Sequence, residues 1–276
     1  IQYQTEPYFG PWRNRIGFAA DDETTPNSTF ERLHTDQTEL IARASYIPSF
    51  LDQSKVYLME FPQVRDVTSS SPRKPDAEDD FVDLMNDGVY ILNYIGHGNE
   101  RVLAHEWLLN REIDMPRIDN GRMQFFFYLS SCTFGRWDFP DEDSMGELLV
   151  TREDRGAIAL VSAARDVFAG PNFELMDAFY QNFFSNAVET RRTQPLGIAM
   201  MQAKIAKNIV NSQKYHLLGD PSMSLKLPDE ILSISSIQPD SIKALATVQV
   251  SGTVDSQNPF EGSLALSVFD TEKDGE

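Results

Sequence analysis

Five short apolar runs, rich in β-branched and aromatic residues, recur along the first 165 residues of the chain. They are RIGFAADD from Arg15, KVYLME from Lys55, VYILNYIGHG from Val89, RMQFFFYLSSC from Arg122 and GAIALVSAAR from Gly156. Most of these runs are apolar without polar alternation, as is typical of strands that are covered on both faces. The pattern therefore predicts a parallel sheet buried between two layers.

Helical periodicity occupies the segments between these runs. It predicts helices over residues 30–51, 77–86, 144–152, 172–187 and 196–212. Strands that alternate with helices predict a three-layer α/β/α sandwich with a mostly parallel sheet. The acidic residues Asp141, Glu142 and Asp143 suit the start of the third helix, and a calcium loop is less favoured because the EF-hand spacing and its glycine are missing.

The character of the sequence changes near residue 228. The segment ILSISSIQPDSIKALATVQVSGTVDSQNPFEGSLALSVFD has no helical period and alternates short β runs with turn residues. It predicts the start of an immunoglobulin-like β-sandwich that holds only three or four strands. We therefore predict two domains, residues 1–228 and residues 229–276, and expect the second to be truncated and docked on the first.

Charge and length limit the classes of function. The chain has 276 residues, of which 41% are apolar, and it carries 42 acidic against 24 basic side chains, a formal charge of −18. That length and composition support a sizeable folded core. A strong negative charge repels phosphate backbones, so nucleic acid is not expected as a partner. The chain has no run of 18 or more apolar residues, so the sequence predicts no membrane-spanning helix.

The chain has one cysteine, Cys132, and four histidines, His34, His97, His105 and His216. A single cysteine excludes an internal disulfide and a multi-cysteine zinc site. The histidines lack the HExxH spacing, so neither a metal nor a cofactor is expected. His105 is assigned to packing or to the surface.

Two of the predicted strands end in residues of catalytic type. One strand leads to His97, and a later strand leads to Cys132, 35 residues further along the chain. If the strands are neighbours, both side chains leave the sheet at the same edge, where parallel sheets place their ligands. An adjacent imidazole favours the nucleophilic thiolate. The alternative is that Cys132 is a buried core residue, since free cysteine is often buried.

Several features favour the catalytic interpretation. Cys132 is the only cysteine, and His97 lies between two glycines. The order, histidine before a cysteine at a strand end, is that of caspases and not of papain. The backbone N–H groups of Gly98 and Cys132 could form an oxyanion hole, in which each donor is worth about 3 kcal/mol. The first strand ends in the acids Asp21, Asp22 and Glu23. Either one of these carboxylates is the third residue of a catalytic triad, or all three form a solvated acidic cluster. The chain has no GxSxG motif, which argues against a serine hydrolase.

With the motifs NYIGHG, SSCTFGRWD and LLGDPSMSL, nearly the whole chain resembles the gingipain family of cysteine peptidases, which share the caspase-like fold. The resemblance implies that Cys132 is the nucleophile and His97 the general base, with the amides of Gly98 and Cys132 in the oxyanion hole. It implies that Asp21 supports the histidine, at a position where the family often has glutamate. The motif RDVFAG implies that Phe168 lies beside the substrate.

Within that family the chain is most similar to the sortases of the type IX secretion system. The resemblance implies an exported enzyme at the outer membrane surface of a Gram-negative bacterium. It would cleave the C-terminal sorting domain from secreted cargo proteins and transfer the cargo to a lipopolysaccharide amine. Its other expected partners are outer-membrane components of the secretion system. Two alternatives stay open: an endopeptidase that only hydrolyses, and a non-catalytic scaffold that binds cargo.

Overall fold

The structure is a computed structural model that describes residues 3, 8–22, 32–64, 72–239, 241, 246–255 and 266. The chain divides into two compact units, Ile1–Leu227 and Pro228–Glu276. In the described part of the chain, no helix is both long and apolar enough to cross a membrane.

The first unit is built on a six-stranded sheet. Its strands are β1 (Arg15–Ala20), β2 (Asp52–Tyr57), β3 (Ile91–Ile95), β6 (Phe125–Ser130), β7 (Ala157–Ala163) and β8 (Tyr215–Leu218). Their spatial order is β2-β1-β3-β6-β7-β8, and only β8 runs antiparallel to its neighbour. The five predicted strands and the mostly parallel sheet are confirmed, although the second strand ends at Tyr57 and the last part of its predicted run, Leu58–Glu60, forms a 3₁₀ turn. The remaining strands of this unit, β4 (Val102–Leu103) and β5 (Leu109–Asn110), form a small separate hairpin.

Helices cover both faces of this sheet. They are α1 (Leu33–Ala42), α2 (Pro75–Asn86), α3 (Met145–Thr151), α4 (Ala169–Phe183), α5 (Ala187–Thr190) and α6 (Leu196–Ala206). The core on one face includes residues of α1, α4 and α6, and the core on the other face includes residues of α2 and α3. The predicted α/β/α layering is therefore confirmed.

The first helix is shorter than predicted, because it ends at Ala42 and not at residue 51. The chain continues through tight turns, in which the N–H of Ile47 donates to Ala44 and the N–H of Leu51 donates to Pro48. Pro48 has no N–H and is unfavourable inside a helix. Ile47 and Leu51 are nevertheless buried. Because they continue the apolar pattern of the helix, the sequence predicted a helix that is longer than the observed one.

Two other predicted helices also change their bounds. The segment 172–187 contains the end of α4 at Phe183 and the start of the separate α5, because Asn186 has a left-handed backbone with φ 62°. The last helix ends at Ala206, and a short 3₁₀ turn, Val210–Gln213, follows it.

Aromatic residues of β6 explain why its sequence shows no alternation. Phe126 and Tyr128 belong to the core on one face of the sheet, and Phe125 and Phe127 to the core on the other. All four side chains are fully buried, and each contributes about 1.5–3 kcal/mol of hydrophobic stabilisation. This central strand is therefore fixed from both sides up to the residues that follow it.

The second unit contains β9 (Ile231–Gln238) and β10 (Gln249–Asp255), which pair antiparallel with an irregularity between Ser251 and Gly252. Residues 256–265 and 267–276, which contain the rest of the predicted β runs, lie outside the described residues. The immunoglobulin-like sandwich and its docking on the first unit stay predictions.

Candidate active site

The register of two neighbouring strands places His97 and Cys132 at the same edge of the sheet. β3 and β6 are parallel, and Ile95 lies opposite Ser130. The ladder continues for one residue, because the N–H of Gly96 donates to the Ser130 carbonyl at 3.1 Å. His97 and Cys132 each follow the Ile95–Ser130 pair by two residues, so both leave the carboxyl edge, where open parallel sheets bind ligands.

The Cys132 side chain is partly exposed and is not sealed in the core. Its Sγ accepts a hydrogen bond from the Val167 N–H at 3.4 Å and lies 3.6 Å from the Val167 carbonyl oxygen. The next residue, Thr133, has a left-handed backbone with φ 42°, which is strained for a residue with a branched side chain. Thr133 donates its hydroxyl to Glu100 Oε2 at 3.2 Å. The thiol therefore lies at a sharp change of chain direction.

The glycines beside His97 allow close approach by other residues. A Cβ at Gly96 would lie 2.3 Å from the Asp21 Cβ and 2.4 Å from the Tyr94 hydroxyl oxygen. A Cβ at Gly98 would lie 2.4 Å from the Ser131 Oγ. The glycines thus let the end of β1 and the end of β6 pack directly against the backbone around the histidine.

Asp21 fixes the main chain of His97. Its Oδ2 accepts a hydrogen bond from the His97 backbone N–H at 2.8 Å, and the Tyr94 hydroxyl donates to the His97 carbonyl at 2.7 Å. Asp21 Oδ1 is buried and has no hydrogen-bond partner among the described residues. Burial raises the pKa of the Asp21 carboxyl well above its usual value, and nearby Glu106 also raises it, while the hydrogen bond from His97 acts in the opposite direction.

Gly98 lies at a non-hydrogen-bonded position of a short backbone hairpin opposite Leu103. The hairpin bonds are made by its neighbours: Ala104 N–H donates to the His97 carbonyl at 3.0 Å, and Asn99 N–H donates to Val102 at 2.9 Å. In an antiparallel pair the N–H of a residue between such bonds points away from the facing strand. The Gly98 N–H therefore points out of the hairpin.

Three of the four histidines form a cluster that no spacing in the sequence indicated. The rings of His34 and His105 lie with their centroids 5.5 Å and 5.0 Å from that of His97. His34 is buried on α1, and its burial, with a smaller effect of His97, lowers its pKa to about 4. His105, for which the sequence predicted a packing or surface role, is exposed and lies against the candidate base.

Two sets of side chains near His97 have the geometry to hold a cation. The ligand atoms of Asp21, His97 and His105 all lie within 4.8 Å of one another, and so do those of Asp21, Asp22 and Glu106. Burial and the neighbouring Asp22 raise the pKa of Glu106. Lys74 offsets part of the negative charge through an ion pair with Asp22 at 2.5 Å. The sequence motifs predicted no ligand set because these residues come from separate loops.

Phe168 lies on the rim beside the thiol. It follows Val167, whose backbone contacts the Cys132 Sγ, and its side chain is 64% exposed. The Lys214 Nζ lies 5.5 Å from the centre of the Phe168 ring. An exposed aromatic ring at this place is available to contact a bound chain. The structure thus brings Phe168, Cys132, His97, Gly98 and Asp21 to one edge of the sheet.

The model of peptidase family C25 matches residues 1–226 of the chain. Among solved structures, the Arg-specific cysteine proteinase gingipain R (RgpB) is similar, with a TM-score of 0.59, 16% identity and coverage of 81% of this chain and 50% of that chain. A complex of the Porphyromonas gingivalis RgpB pro- and mature domains gives a TM-score of 0.58 at 16% identity, covering 81% of this chain and 52% of that chain. A third structure, of a protease, gives 0.55 at 16% identity and covers 86% and 54%.

These structural matches establish a shared gingipain-type, caspase-like α/β fold, and this chain spans about half the length of the solved relatives. No curated protein sequence matches the chain significantly. The family model covers most of the chain, including the candidate site residues Asp21, His97, Gly98, Cys132 and Phe168. The chain therefore belongs to peptidase family C25, the gingipain family of cysteine peptidases.

Proposed function

We propose that this peptidase is a cysteine transpeptidase, a sortase of the type IX secretion system similar to PorU. Its substrates are secreted cargo proteins with C-terminal sorting domains, and its acceptor is an amine of a lipopolysaccharide at the outer membrane surface. The observation that carries the chemistry is the register of β3 and β6, which puts His97 and Cys132 at equal distance beyond the paired residues Ile95 and Ser130.

In the first half-reaction His97 accepts the proton of the Cys132 thiol, and the thiolate attacks the carbonyl carbon of the scissile peptide bond. The N–H groups of Gly98 and Cys132 donate to the oxyanion, and the outward direction of the Gly98 N–H supports this role. The C–N bond then breaks, His97 gives the proton to the leaving amine, and the cargo remains on Cys132 as a thioester.

In the second half-reaction the acceptor amine attacks the thioester carbonyl and transfers a proton to His97. The C–S bond breaks, the cargo gains an amide bond, and the sulfur takes back a proton as the thiol. Asp21 acts as a positioning residue in both steps, because it holds the backbone of His97. Phe168 contacts the cargo chain near the scissile bond.

Mass spectrometry of the cleaved cargo tests this proposal. A cargo peptide with its sorting domain is incubated with the protein and an excess of an amine acceptor. An amide adduct at the new C-terminus is expected for transfer, and Cys132→Ala should form no product while keeping the far-UV circular dichroism of the parent. If Cys132→Ala cleaved and attached cargo normally, the proposal would be wrong.

The second candidate function is a gingipain-like endopeptidase that uses the same residues and water. The family membership favours it as the simpler activity. The same experiment separates the two functions, because hydrolysis leaves a free carboxylate at the new C-terminus even when the amine is in excess.

A non-catalytic cargo-binding scaffold is separated by the rate of thiol alkylation at one fixed pH. Cys132 is the only cysteine, so alkylation reports on this thiol alone. An imidazole that accepts the thiol proton makes the sulfur more nucleophilic. We expect His97→Gln to slow alkylation and the matched control His216→Gln on β8 to leave the rate unchanged. Equal rates in the parent and His97→Gln would favour the scaffold.

A further inference from the structure

A cavity lies at the amino-terminal edge of the sheet, opposite the edge that holds the candidate active site. Arg13 lies two residues before β1, Tyr90 lies directly before β3, and both line this cavity. The cavity has a volume of about 280 Å³. Its other lining residues include Arg192, Ser224 and Lys226 from the segments around α6 and β8. It shares none of its lining residues with the candidate active site.

Arg13 is the buried centre of this cavity. Its side chain is only 6% exposed, and its guanidinium lies 5.1–5.3 Å from the centres of the rings of Tyr3, Phe9, Trp12 and Tyr90. The Nε donates to the Tyr8 carbonyl at 3.0 Å. The Nη2 is buried and has no hydrogen-bond partner among the described residues. The Nη1 lies 3.5 Å from the Tyr90 hydroxyl oxygen. A buried N–H group without an acceptor is unfavourable, and an anionic oxygen in the cavity would satisfy the Nη2.

The opposite wall carries two more cations. Arg192 and Lys226 face each other across an antiparallel bridge, which places them side by side. The Tyr90 hydroxyl donates to the Lys226 carbonyl at 2.8 Å and so attaches this wall to the Arg13 side. No acidic side chain lines the cavity in the described part of the chain. Arg13 and Arg192 thus bring two guanidinium groups to one cavity in a protein whose formal charge is −18.

We propose that this cavity is a binding site for a phosphoryl group on a small ligand. Two guanidinium groups, those of Arg13 and Arg192, match a dianion better than a single carboxylate, and a guanidinium binds phosphate oxygens with paired N–H donors. The Ser224 hydroxyl supplies a further donor, while the Ser222 hydroxyl already donates to Asp220 at 2.7 Å. The volume is near the lower end of ordinary ligand pockets, about 300 Å³, which leaves room for the phosphate and a small attached group.

Isothermal titration of the 276-residue protein with inorganic phosphate at low salt tests the site. We expect saturable binding, and Arg192→Gln should weaken it about tenfold or more, because it removes a charge-assisted hydrogen bond. Arg43→Gln is the matched control: Arg43 is 79% exposed on α1's C-terminal side and is paired with Glu39, so its removal changes the net charge equally and should leave the dissociation constant unchanged.

Acetate and methyl phosphate distinguish the ligand classes. Methyl phosphate should bind at least as tightly as inorganic phosphate, and acetate should bind much more weakly. The proposal is overturned by absent phosphate binding, by equal dissociation constants in the parent and Arg192→Gln, or by acetate binding as tightly as phosphate. Far-UV circular dichroism confirms that the variants are folded, and the exposed position of Arg192 makes its loss compatible with folding.

Discussion

Gly96 and Gly98 each allow a different neighbouring residue to pack against the backbone. At Gly96 the space is taken by the Asp21 Cβ and by the buried Tyr94, neither of which has room to move away. At Gly98 the nearest atom is the end of the Ser131 side chain, which is able to rotate. The two glycines therefore differ in how much a methyl group would disturb the fold.

We predict that Gly96→Ala lowers the free energy of unfolding by about 1–3 kcal/mol, because the added methyl overpacks a rigid site. Gly170→Ala is the matched control, since a Cβ there meets nothing within 4 Å and alanine favours the first turn of α4. Urea denaturation of both variants measures the difference. A Gly96→Ala protein as stable as the parent would show that the Asp21 contact is not tight.

A second prediction at this scale concerns the ionisation of Asp21. Burial raises its pKa above the ordinary value of 3.8, so the native state binds the proton more tightly than the unfolded state does. The stability due to the neutral carboxyl is present below pH 3.8 and is lost as the pH rises through the raised pKa. Asparagine stays neutral at every pH and keeps an oxygen acceptor for the His97 N–H.

Asp21→Asn should therefore become progressively more stable relative to the parent as the pH rises from 4 to 8. Thermal unfolding at several pH values measures this trend. Asp220→Asn is the control, because hydrogen bonds from Ser222 lower the pKa of the exposed Asp220. Its effect on stability changes with pH only below this range, so its difference from the parent should stay nearly flat from pH 4 to 8. A flat difference for Asp21→Asn across this range would contradict a raised pKa.

The sequence allowed the roles of single residues to be predicted only where they lie at strand ends. The placement of His97 and Cys132 at one edge followed from the apolar runs that precede them. The contacts of His34, His105 and Glu106 with the site did not, because α1 and the segment around β4 and β5 reach the edge through three-dimensional packing. The cations of the cavity at the amino-terminal edge of the sheet were likewise too far apart in the chain to be recognised.

At the scale of elements, α3 has a complete N-terminal cap. The Ser144 Oγ accepts from the Glu147 N–H at 3.3 Å, and the Glu147 carboxylate accepts from the Ser144 N–H at 2.9 Å. This reciprocal pair is a capping box, which satisfies two N–H groups that the helix leaves open. The acidic run before the helix had predicted its start, but the cap itself is Ser144.

We predict that Ser144→Ala lowers the free energy of unfolding by about 1 kcal/mol. Thr151→Ala, at the exposed C-terminal end of the same helix, is the control and should change stability by no more than about 0.5 kcal/mol. Urea denaturation compares them. Equal effects at both ends of α3 would argue against a specific contribution of the capping box.

The elements that the sequence did not predict are short. β4, β5 and β8 have two to four residues each, too few for a periodic pattern to appear. β8 is fixed by pairing with β7, where Leu160 lies opposite Leu218, and such a long-range contact leaves no local signal. The long buried strands were predictable because their cores on both faces demand continuous apolar sequence.

At the scale of the whole molecule, the excess of acidic residues gives a net charge that opposes the compact state. Exposed ion pairs such as Arg165 with Asp138 act in the opposite direction, but each is worth only about 0–1 kcal/mol. Repulsion among the excess acidic side chains should therefore outweigh the exposed ion pairs in deciding how salt changes the stability of the fold.

Raising the NaCl concentration from 20 mM to 0.5 M should raise the melting temperature, by about 2–4 °C for each kcal/mol of repulsion that is screened. Choline chloride should give the same shift, since screening does not depend on the identity of the cation. A lower melting temperature at high salt would show that ion pairs outweigh the net repulsion. A shift with NaCl alone would indicate cation binding.

The equal offset of His97 and Cys132 from the Ile95–Ser130 pair has a consequence for how this site tolerates change over evolution. Successive residues of a strand face opposite sides, so inserting or deleting one residue within either strand would turn the imidazole or the sulfur away from its partner. The stretch that links the two strands begins with the hairpin from His97 to Ala104, followed by His105 and Glu106, which lie at the site. Beyond these residues the link carries no such register constraint, and changes in its length are expected there. Searches for distant homologues should therefore anchor on each residue's own strand and leave the gap between them open.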